Sequence, residues 1–265
     1  MAAVGVITGS GLYSLPQLEE AQTERVDTAY GAVELTRGRL SDAEVLHLAR
    51  HGTGHARLSS GVDHRANIAA LAAVGAGCVV GCTICGSLEP ALEPRTLVVF
   101  DELYFPSNRL PDGSLCTLFT EVGDVRRGHW IYDRPFADDV RRALLGAAAS
   151  LAVGVRDGGC YGHVDGPRFN TRPEVRALAA AGVSAISQTA GPEAVLAGEA
   201  ELPYALAGYV TDWANGVMPE PTAVEEVVAN MERSSDVFAG LIAAAAARLA
   251  AAAVRRAGVV FRWEH

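Results

Sequence analysis

The stretch VVGCTIC, residues 79–85, is an uninterrupted apolar run of strand length that ends at Gly86. Such a run is typical of a strand that is buried on both faces of a sheet. Other strand-like runs occur at residues 3–8, 44–49, 96–100, 155–164, 183–189 and 204–212. Segments with helical spacing separate them, at residues 67–76, 136–151, 172–181, 192–200 and 222–256. This alternation predicts an α/β fold in which helices flank a central mixed β-sheet.

The chain has 265 residues, 49% of them apolar, which is enough for one domain with a full core spanning residues 1–265. Its most apolar stretch, residues 237–254, is dominated by alanine, contains Arg248 and is followed by Arg255. We therefore expect a packed amphipathic helix here and no membrane partner. The N-terminal residues lack the basic start of a signal peptide, so we expect none.

All 22 basic residues are arginine, and the net charge is −9. The absence of lysine excludes Schiff-base and pyridoxal phosphate chemistry and the Walker-type phosphate lysine. The negative charge argues against nucleic acid as a partner. The five cysteines are an odd number, as expected of reduced thiols in a cytoplasmic protein. Cys82 and Cys85 have the spacing of half a zinc site, but no second pair exists, so we expect no metal.

Several of the predicted strands end in polar residues that are flanked by glycine. They are Ser10, the pair Arg50-His51, Thr83, Thr189 and Asp212. Ligands of open α/β sheets bind beyond the carboxyl ends of the strands, so these side chains are expected to share one site.

Each of these motifs also has a purely structural interpretation. Gly9-Ser10-Gly11 is either an oxyanion-binding loop or a tight turn, and Ser14 replaces the third glycine of a dinucleotide fingerprint. Arg50 and His51 suit a phosphate, or are a surface arginine and a core histidine. Asp212 is either a helix cap or a buried acid that protonates a leaving group.

Seven short segments, in order along most of the chain, resemble the methylthioadenosine phosphorylase branch of the purine nucleoside phosphorylases. They are VGVITGSGL (4–12), ARHG (49–52), RANI (65–68), CGSL (85–88), GPRF (166–169), GPEA (191–194) and VTDW (210–213). The resemblance implies phosphorolysis, in which a purine nucleoside and inorganic phosphate give the free base and a sugar 1-phosphate. It implies phosphate as co-substrate, no further cofactor, and a homotrimer with its sites at subunit interfaces.

The resemblance also implies roles for individual residues. Phosphate binding falls on Ser10, Arg50, His51, Thr83, Ile84 and Thr189. Asp212 matches the residue that serves N7 of the base, so Asp212 and His51 are the expected catalytic residues. The residues that match the nucleoside pocket of the family are Phe169, Gln188, Asp212, Ala214, Val224, Val227 and His55. His129 matches a histidine that reaches the pocket of the adjacent subunit. The two valines match apolar residues around a 5′-methylthio or other 5′-deoxy group.

Two departures from the family pattern leave alternatives open. Gln188 stands where the family usually has methionine beneath the ribose, and its amide can hydrogen-bond the 2′- or 3′-hydroxyl or an altered sugar. Asp212 favours a 6-amino purine, whereas Ala214 replaces the second aspartate of adenine-specific members and is compatible with a 6-oxo base. The leading hypothesis is therefore a methylthioadenosine-type phosphorylase. The alternatives are a 6-oxopurine phosphorylase acting on methylthioinosine, inosine or guanosine, and a purine-binding relative without turnover.

Overall fold

The computed structural model describes residues 2–263. Its strands are β1 (Ala3–Thr8), β2 (Glu19–Thr28), β3 (Gly31–Leu40), β4 (Ala43–Ala49), β5 (Ala76–Ser87), β6 (Thr96–Val99), β7 (Glu102–Tyr104), β8 (His129–Ile131), β9 (Gly154–Asp157), β10 (Cys160–His163), β11 (Ala185–Ser187), β12 (Tyr204–Trp213) and β13 (Val259–Phe261). Its α-helices are α1 (His64–Ala73), α2 (Asp138–Ala148), α3 (Arg172–Ala180), α4 (Ala190–Glu199) and α5 (Val224–Ala251). Helices and strands alternate in the second half of the chain, as the sequence predicts, whereas β1–β4 and β5–β8 each follow one another without an α-helix between them.

A mixed sheet of eleven strands organises the described residues, with β5 at its centre. Strand β5 is twelve residues long and runs parallel to β1 along its first half and to β12 along most of its length. Strand β4 pairs in parallel with β1, and β11 pairs antiparallel with the last residues of β5. The carboxyl ends of β1, β4, β5 and β12 therefore meet at one edge of the sheet.

The core lies on both faces of this sheet because successive side chains of a strand point to opposite faces. Val6 belongs to the apolar cluster that contains Leu241 and Ile242 of α5, whereas its neighbour Ile7 belongs to a second cluster that contains Ile68 of α1 and Leu196 of α4. By length and composition α5 could span a membrane, but half of its most apolar stretch is buried inside the protein. It is a core helix, as the arginines in and after this stretch predict.

The predicted elements differ from the observed ones where the sequence pattern is weak. The pattern does not predict the hairpin of β2 and β3, because β2 is highly polar and almost wholly exposed. The predicted strand at residues 155–164 is two strands, separated by Gly158 and Gly159, both of which have positive φ. Helix α1 begins three residues before the predicted start, and α5 ends five residues before the predicted end.

Four histidines in this fold, three of them buried and one half-buried, are held in the neutral form. Burial lowers the pKa of His47 to about 4 and that of His163 to about 3. Burial, with the nearby charge of Arg50, lowers the pKa of His51 to about 4. His64 has a pKa well below its usual value, again mainly because of burial, and neither of its ring nitrogens has a hydrogen-bond partner among the described residues.

We predict that the free energy of unfolding falls as the pH falls from 7 to 5.5. In this window the unfolded chain binds protons on histidines whose folded pKa values lie lower, so each buried histidine removes about 1 kcal/mol. Urea unfolding as a function of pH measures the effect. Burial raises the pKa values of Asp212 and Glu199. These two carboxyl groups therefore increase the free energy of unfolding as the pH falls, which opposes the effect of the histidines.

The variant His64→Leu isolates one histidine from these other groups. Its stability should depend less steeply on pH than that of the wild type, whatever its absolute stability at pH 7. An unchanged slope would contradict a neutral, buried His64.

Candidate active site

A cavity of about 330 Å³ lies at the sheet edge where the strand ends meet. This volume lies at the lower end of the range of about 300–1,000 Å³ that is usual for small-molecule sites. Twelve of the residues predicted from the sequence line it: Ser10, Arg50, His51, His55, Thr83, Ile84, Phe169, Gln188, Thr189, Asp212, Ala214 and Val227. The structure thus brings side chains from distant parts of the chain into one site, as predicted, although Thr83 lies within β5 and not at its end.

Arg50 forms the most deeply buried polar contact of this site. Its Nε and Nη2 donate to the two carboxylate oxygens of Glu193, at 2.6 and 2.9 Å. Nη1 donates to the carbonyl oxygen of Cys82 at 2.7 Å. Burial alone would lower the pKa of Arg50, but the Glu193 carboxylate outweighs this and raises it, so the guanidinium stays charged. A bidentate pair of this kind holds the guanidinium in a fixed orientation.

The loop that carries Ser10 packs directly on this guanidinium. A Cβ atom at Gly9 would collide with Nη1 of Arg50, so the backbone can approach the arginine only because residue 9 is glycine. Among the described residues, Nη1 has one acceptor for its two N–H groups. Arg50 lines the cavity, so we expect its second Nη1 N–H to bind an anion there.

His51 and His55 stack on each other, with ring centroids 4.4 Å apart. Nδ1 of His51 lies 2.9 Å from the carbonyl oxygen of Arg57, which can only accept, so this nitrogen carries the proton. Nε2 of the neutral ring is then an acceptor. Nδ1 of His55 is 3.0 Å from the hydroxyl of Tyr13, a contact that the sequence did not predict.

Three hydroxyl groups gather where β11 meets β5 and α4 begins. Thr83 Oγ1 lies 2.9 Å from Ser187 Oγ. Thr189 is the N-cap residue of α4, and its side chain makes no capping hydrogen bond. The N-terminus of a helix attracts negative charge, since its first N–H groups lack intrahelical partners. These groups make this side of the cavity suitable for a small oxyanion.

Asp212 is buried near the carboxyl end of β12, beside a β-bulge. The register of β12 on β5 shifts between Val210 and Asp212, and Thr211 is the extra residue. Thr211 Oγ1 donates to Asp212 Oδ1 at 2.6 Å, and the fully buried Asn230 of α5 donates to the carbonyl oxygen of Thr211 at 2.8 Å. Bulges of this kind often reorient a side chain beside an active site. Burial raises the pKa of Asp212, although the hydrogen bond from Thr211 opposes this.

Gln188 contacts protein at both ends of its amide. Its Oε1 accepts from Ser59 Oγ at 2.9 Å, and its Nε2 donates to the carbonyl oxygen of Arg168 at 3.2 Å. Sequence reasoning missed several other residues that line the cavity: Leu58, Ser59, Asn170, Ser187, Thr211, Asn215 and Met231. Ser187 is the last residue of β11, so the rule that polar strand ends share a site could have found it, but Ser59 carries no sequence signal.

Two predicted site residues lie outside this cavity. Val224, the first residue of α5, has 72% of its surface exposed and does not line it. His129 is exposed on β8 and lines a second cavity of about 480 Å³, together with Tyr104, Trp130 and Glu199. Their roles at the nucleoside stay predictions. The described residues contain no cluster of three metal-ligating side chains.

Comparisons with known proteins agree with this geometry. The sequence pattern of the Phosphorylase superfamily matches residues 3–247. The chain is 34% identical over 251 residues to a 6-oxopurine nucleoside phosphorylase of Pyrococcus furiosus, covering 92% of each chain. It is 35% identical over 243 residues to a probable S-methyl-5′-thioinosine phosphorylase of Xanthomonas campestris pv. campestris, covering 91% of this chain and 95% of the relative.

Solved structures with the same fold include two methylthioadenosine phosphorylases. One, from an antarctic soil metagenomic library, aligns with a TM-score of 0.84 and 30% identity over 94% of this chain and 86% of that one. The other, from Schistosoma mansoni in complex with adenine, aligns with a TM-score of 0.85 and 27% identity over 95% and 93% of the two chains. The family pattern and the relatives match most of the length of the chain. The chain therefore belongs to the Phosphorylase superfamily and, within it, to the nucleoside phosphorylases.

Proposed function

We propose that this protein catalyses the phosphorolysis of a purine nucleoside, 5′-methylthioadenosine or a related 5′-deoxy adenine nucleoside. The bond between C1′ and the base breaks, a bond between C1′ and a phosphate oxygen forms, and the base leaves with a proton. One observation carries the proposal: a set of oxyanion donors and a buried acid with a raised pKa lie in the same cavity.

Phosphate is bound at the Arg50 side of the cavity. Because Glu193 neutralises the arginine, binding depends on directed donors rather than on net positive charge. Ser10, Thr189 and the remaining N–H of Arg50 supply donors, and the neutral Nε2 of His51 accepts the P–O–H proton of hydrogen phosphate. Groups fixed before the reaction stabilise developing charge without having to reorganise.

The base is bound at the Asp212 side. The transition state is cationic at the sugar, and the departing base accepts a proton on N7. A carboxyl group whose pKa is raised by burial can carry that proton at neutral pH. The second carboxyl oxygen of Asp212 accepts a hydrogen bond from a 6-amino group. A 6-oxo group would instead place its own acceptor oxygen against this oxygen, and no hydrogen bond could form between them. Asp212 therefore favours adenine as the leaving base.

The 5′ substituent meets the first turns of α5. Val227 and Met231 line the cavity, and the side chains of Val224 and Val228 are exposed nearby on the same helix. These apolar groups favour a methylthio group over a free hydroxyl, by roughly 1–3 kcal/mol for each methylene-sized group.

A 6-oxopurine is the second candidate base. Two observations favour it: Ala214 offers no second carboxylate to the base, and the relatives from Pyrococcus and Xanthomonas are named for 6-oxopurine and methylthioinosine phosphorolysis.

We predict that the wild type releases adenine from 5′-methylthioadenosine only when phosphate is present. A panel of adenosine, inosine, guanosine and their 5′-methylthio forms, assayed with and without phosphate, measures this. Release without phosphate would indicate a hydrolytic nucleosidase. Binding of nucleoside without any product would indicate a non-catalytic relative.

The variant Asp212→Asn separates the two candidate bases. It cannot donate a carboxyl proton to N7, so adenine release should fall at least about 100-fold, the lower end of the usual effect of general acid catalysis. If hypoxanthine is instead the natural product, the variant should keep or improve its release, and the adenine assignment would be wrong.

We also propose that the protein is a cytoplasmic homotrimer in which His129 reaches the nucleoside site of the adjacent subunit. All five cysteines are free, which fits a reducing compartment. His129 is exposed on β8; the two-stranded sheet of β8 and β13 exposes Ile131, Val259 and Phe261, and Trp263 is exposed two residues after it. Apolar groups gathered on one surface are a common mark of a subunit interface.

We predict a particle of three times the 27.7 kDa of one chain in light scattering. His129→Ala should raise the KM for nucleoside several-fold and leave the KM for phosphate within about twofold, because it removes a group at the sugar and not at the anion. A fully active monomer, or an equal rise in both constants, would contradict this arrangement.

A further inference from the structure

The β-bulge beside Asp212 is held by residues from outside the pairing of β12 with β5. The backbone N–H of Arg95 donates to the carbonyl oxygen of Val210 at 2.7 Å. Nδ2 of Asn230 donates to the carbonyl oxygen of Thr211 at 2.8 Å. Nε of Arg95 in turn donates to Oδ1 of Asn230 at 2.9 Å. The pair of Arg95 and Asn230 therefore holds both carbonyl groups of the bulge.

Arg95 has an unusual backbone conformation. Its φ is +73°, in the left-handed region that glycine adopts without strain and arginine does not. The residue is exposed, so core packing does not require a long side chain here. What arginine adds over glycine at this position is the hydrogen bond from its guanidinium to Asn230. Strained backbone persists only where the surrounding structure holds it, and it is frequent at functional sites.

Asn230 is completely buried, and both ends of its amide are bonded, Oδ1 to Arg95 and Nδ2 to Thr211. Because a buried amide without partners is unfavourable, these two bonds fix the position of the side chain. Asn230 lies three residues after Val227 and one before Met231, so the three side chains share one face of α5. Val227 and Met231 line the cavity. The amide that holds the bulge is therefore next to the site.

Thr211 connects this pair to the carboxyl group of Asp212. Its Oγ1 donates to Asp212 Oδ1 at 2.6 Å and lies 3.3 Å from the carbonyl oxygen of Cys85. Since Asn230 holds the backbone of Thr211, it fixes the direction of this hydroxyl and of the carboxyl group that follows. Neither Arg95 nor Asn230 lines the cavity, so the pair acts on a ligand through Asp212.

We propose that Arg95 and Asn230 are positioning residues for Asp212, which together fix the bulge and direct the carboxyl group toward the purine base. This rests on the proposed phosphorolysis and concerns the residue that protonates its base. A small misplacement of a reacting group slows a reaction strongly, so a donor that is held in place before the reaction is favoured. The strained backbone of Arg95 then serves catalysis and not stability.

The variant Arg95→Gly tests the pair without damage to the fold. Glycine removes the guanidinium, keeps the backbone N–H that binds Val210 and adopts a positive φ without strain. The melting temperature should therefore be no lower than that of the wild type, while kcat for the nucleoside should fall about threefold or more. The KM for phosphate should stay within about twofold, because the anion donors are not altered.

The variant Asn230→Ala removes the second member of the pair. We expect kcat to fall about tenfold or more, since the bulge then loses a buried hydrogen bond. Adding Arg95→Gly should lower kcat little further, because the two residues act as one unit. Arg233→Ala is the matched control. It removes an arginine exposed on α5 one turn after Asn230 and should leave kcat and both KM values unchanged.

The background Asp212→Asn shows whether the pair acts through the carboxyl group. There Arg95→Gly should change kcat less than about twofold, since the acid that it positions is absent. An equal fall of kcat in both backgrounds, or a matching rise in the KM for phosphate, would mean that the pair only holds the strands together, and this would overturn the proposal. So would an unchanged kcat in both Arg95→Gly and Asn230→Ala.

Calorimetry with adenine and hypoxanthine provides a measurement that needs no turnover. The base that the wild type binds more tightly should bind at least about threefold more weakly to Arg95→Gly, with phosphate binding unchanged. If no nucleoside reacts but base binding weakens in this way, the proposed reaction fails and the positioning stands. If nucleosides react and neither kcat nor base binding changes, the positioning alone fails. A wild type that binds neither base would overturn both.

Discussion

The buried ion pair between Arg50 and Glu193 is the constraint on which the rest of the site depends. Its two side chains are almost completely buried, so their charges can be tolerated only together. Breaking such a pair by removing one partner costs about 3–5 kcal/mol. The pair therefore ties Arg50, which directly follows β4, to α4, which carries Glu193.

The same pair aligns the neighbouring strand ends. Arg50 also donates to the carbonyl oxygen of Cys82 on β5, and the hydroxyl of Tyr204 on β12 donates to Glu193. Gly9, after β1, packs on the guanidinium. One ion pair thus holds β1, β4, β5, β12 and α4 in register at the cavity, so the anion donors are in position before any ligand binds. Such preorganisation favours the transition state of a group transfer.

Much of the fold and of the site can be predicted from the sequence, for a physical reason. Buried strands are short apolar runs whose carboxyl ends meet, so the sequence alone assigns Ser10, Arg50, Thr83 and Asp212 to one site. A single sequence cannot identify partners that meet across the fold. Glu193 lies 143 positions from Arg50 and Ser59 lies 129 positions from Gln188, and no local pattern marks either contact.

Irregular backbone is also hard to predict from the sequence. The bulge at Thr211 interrupts an apolar strand pattern that is otherwise continuous, and the polar hairpin of β2 and β3 lacks the apolar alternation that predicts a strand. Both features depend on pairing with neighbouring strands. The bulge matters most for function, since it is associated with the burial of Asp212, which raises the pKa of its carboxyl group.

The decisive measurement is a crystal structure of the protein with bound phosphate. We expect one tetrahedral anion with its oxygens within about 3 Å of Ser10 Oγ, Nη1 of Arg50, Nε2 of His51 and Thr189 Oγ1. We also expect the ion pair between Arg50 and Glu193 to be unchanged. An anion bound elsewhere while this cavity stays without one, or an Arg50 that leaves Glu193 to reach the phosphate, would contradict a preorganised anion site.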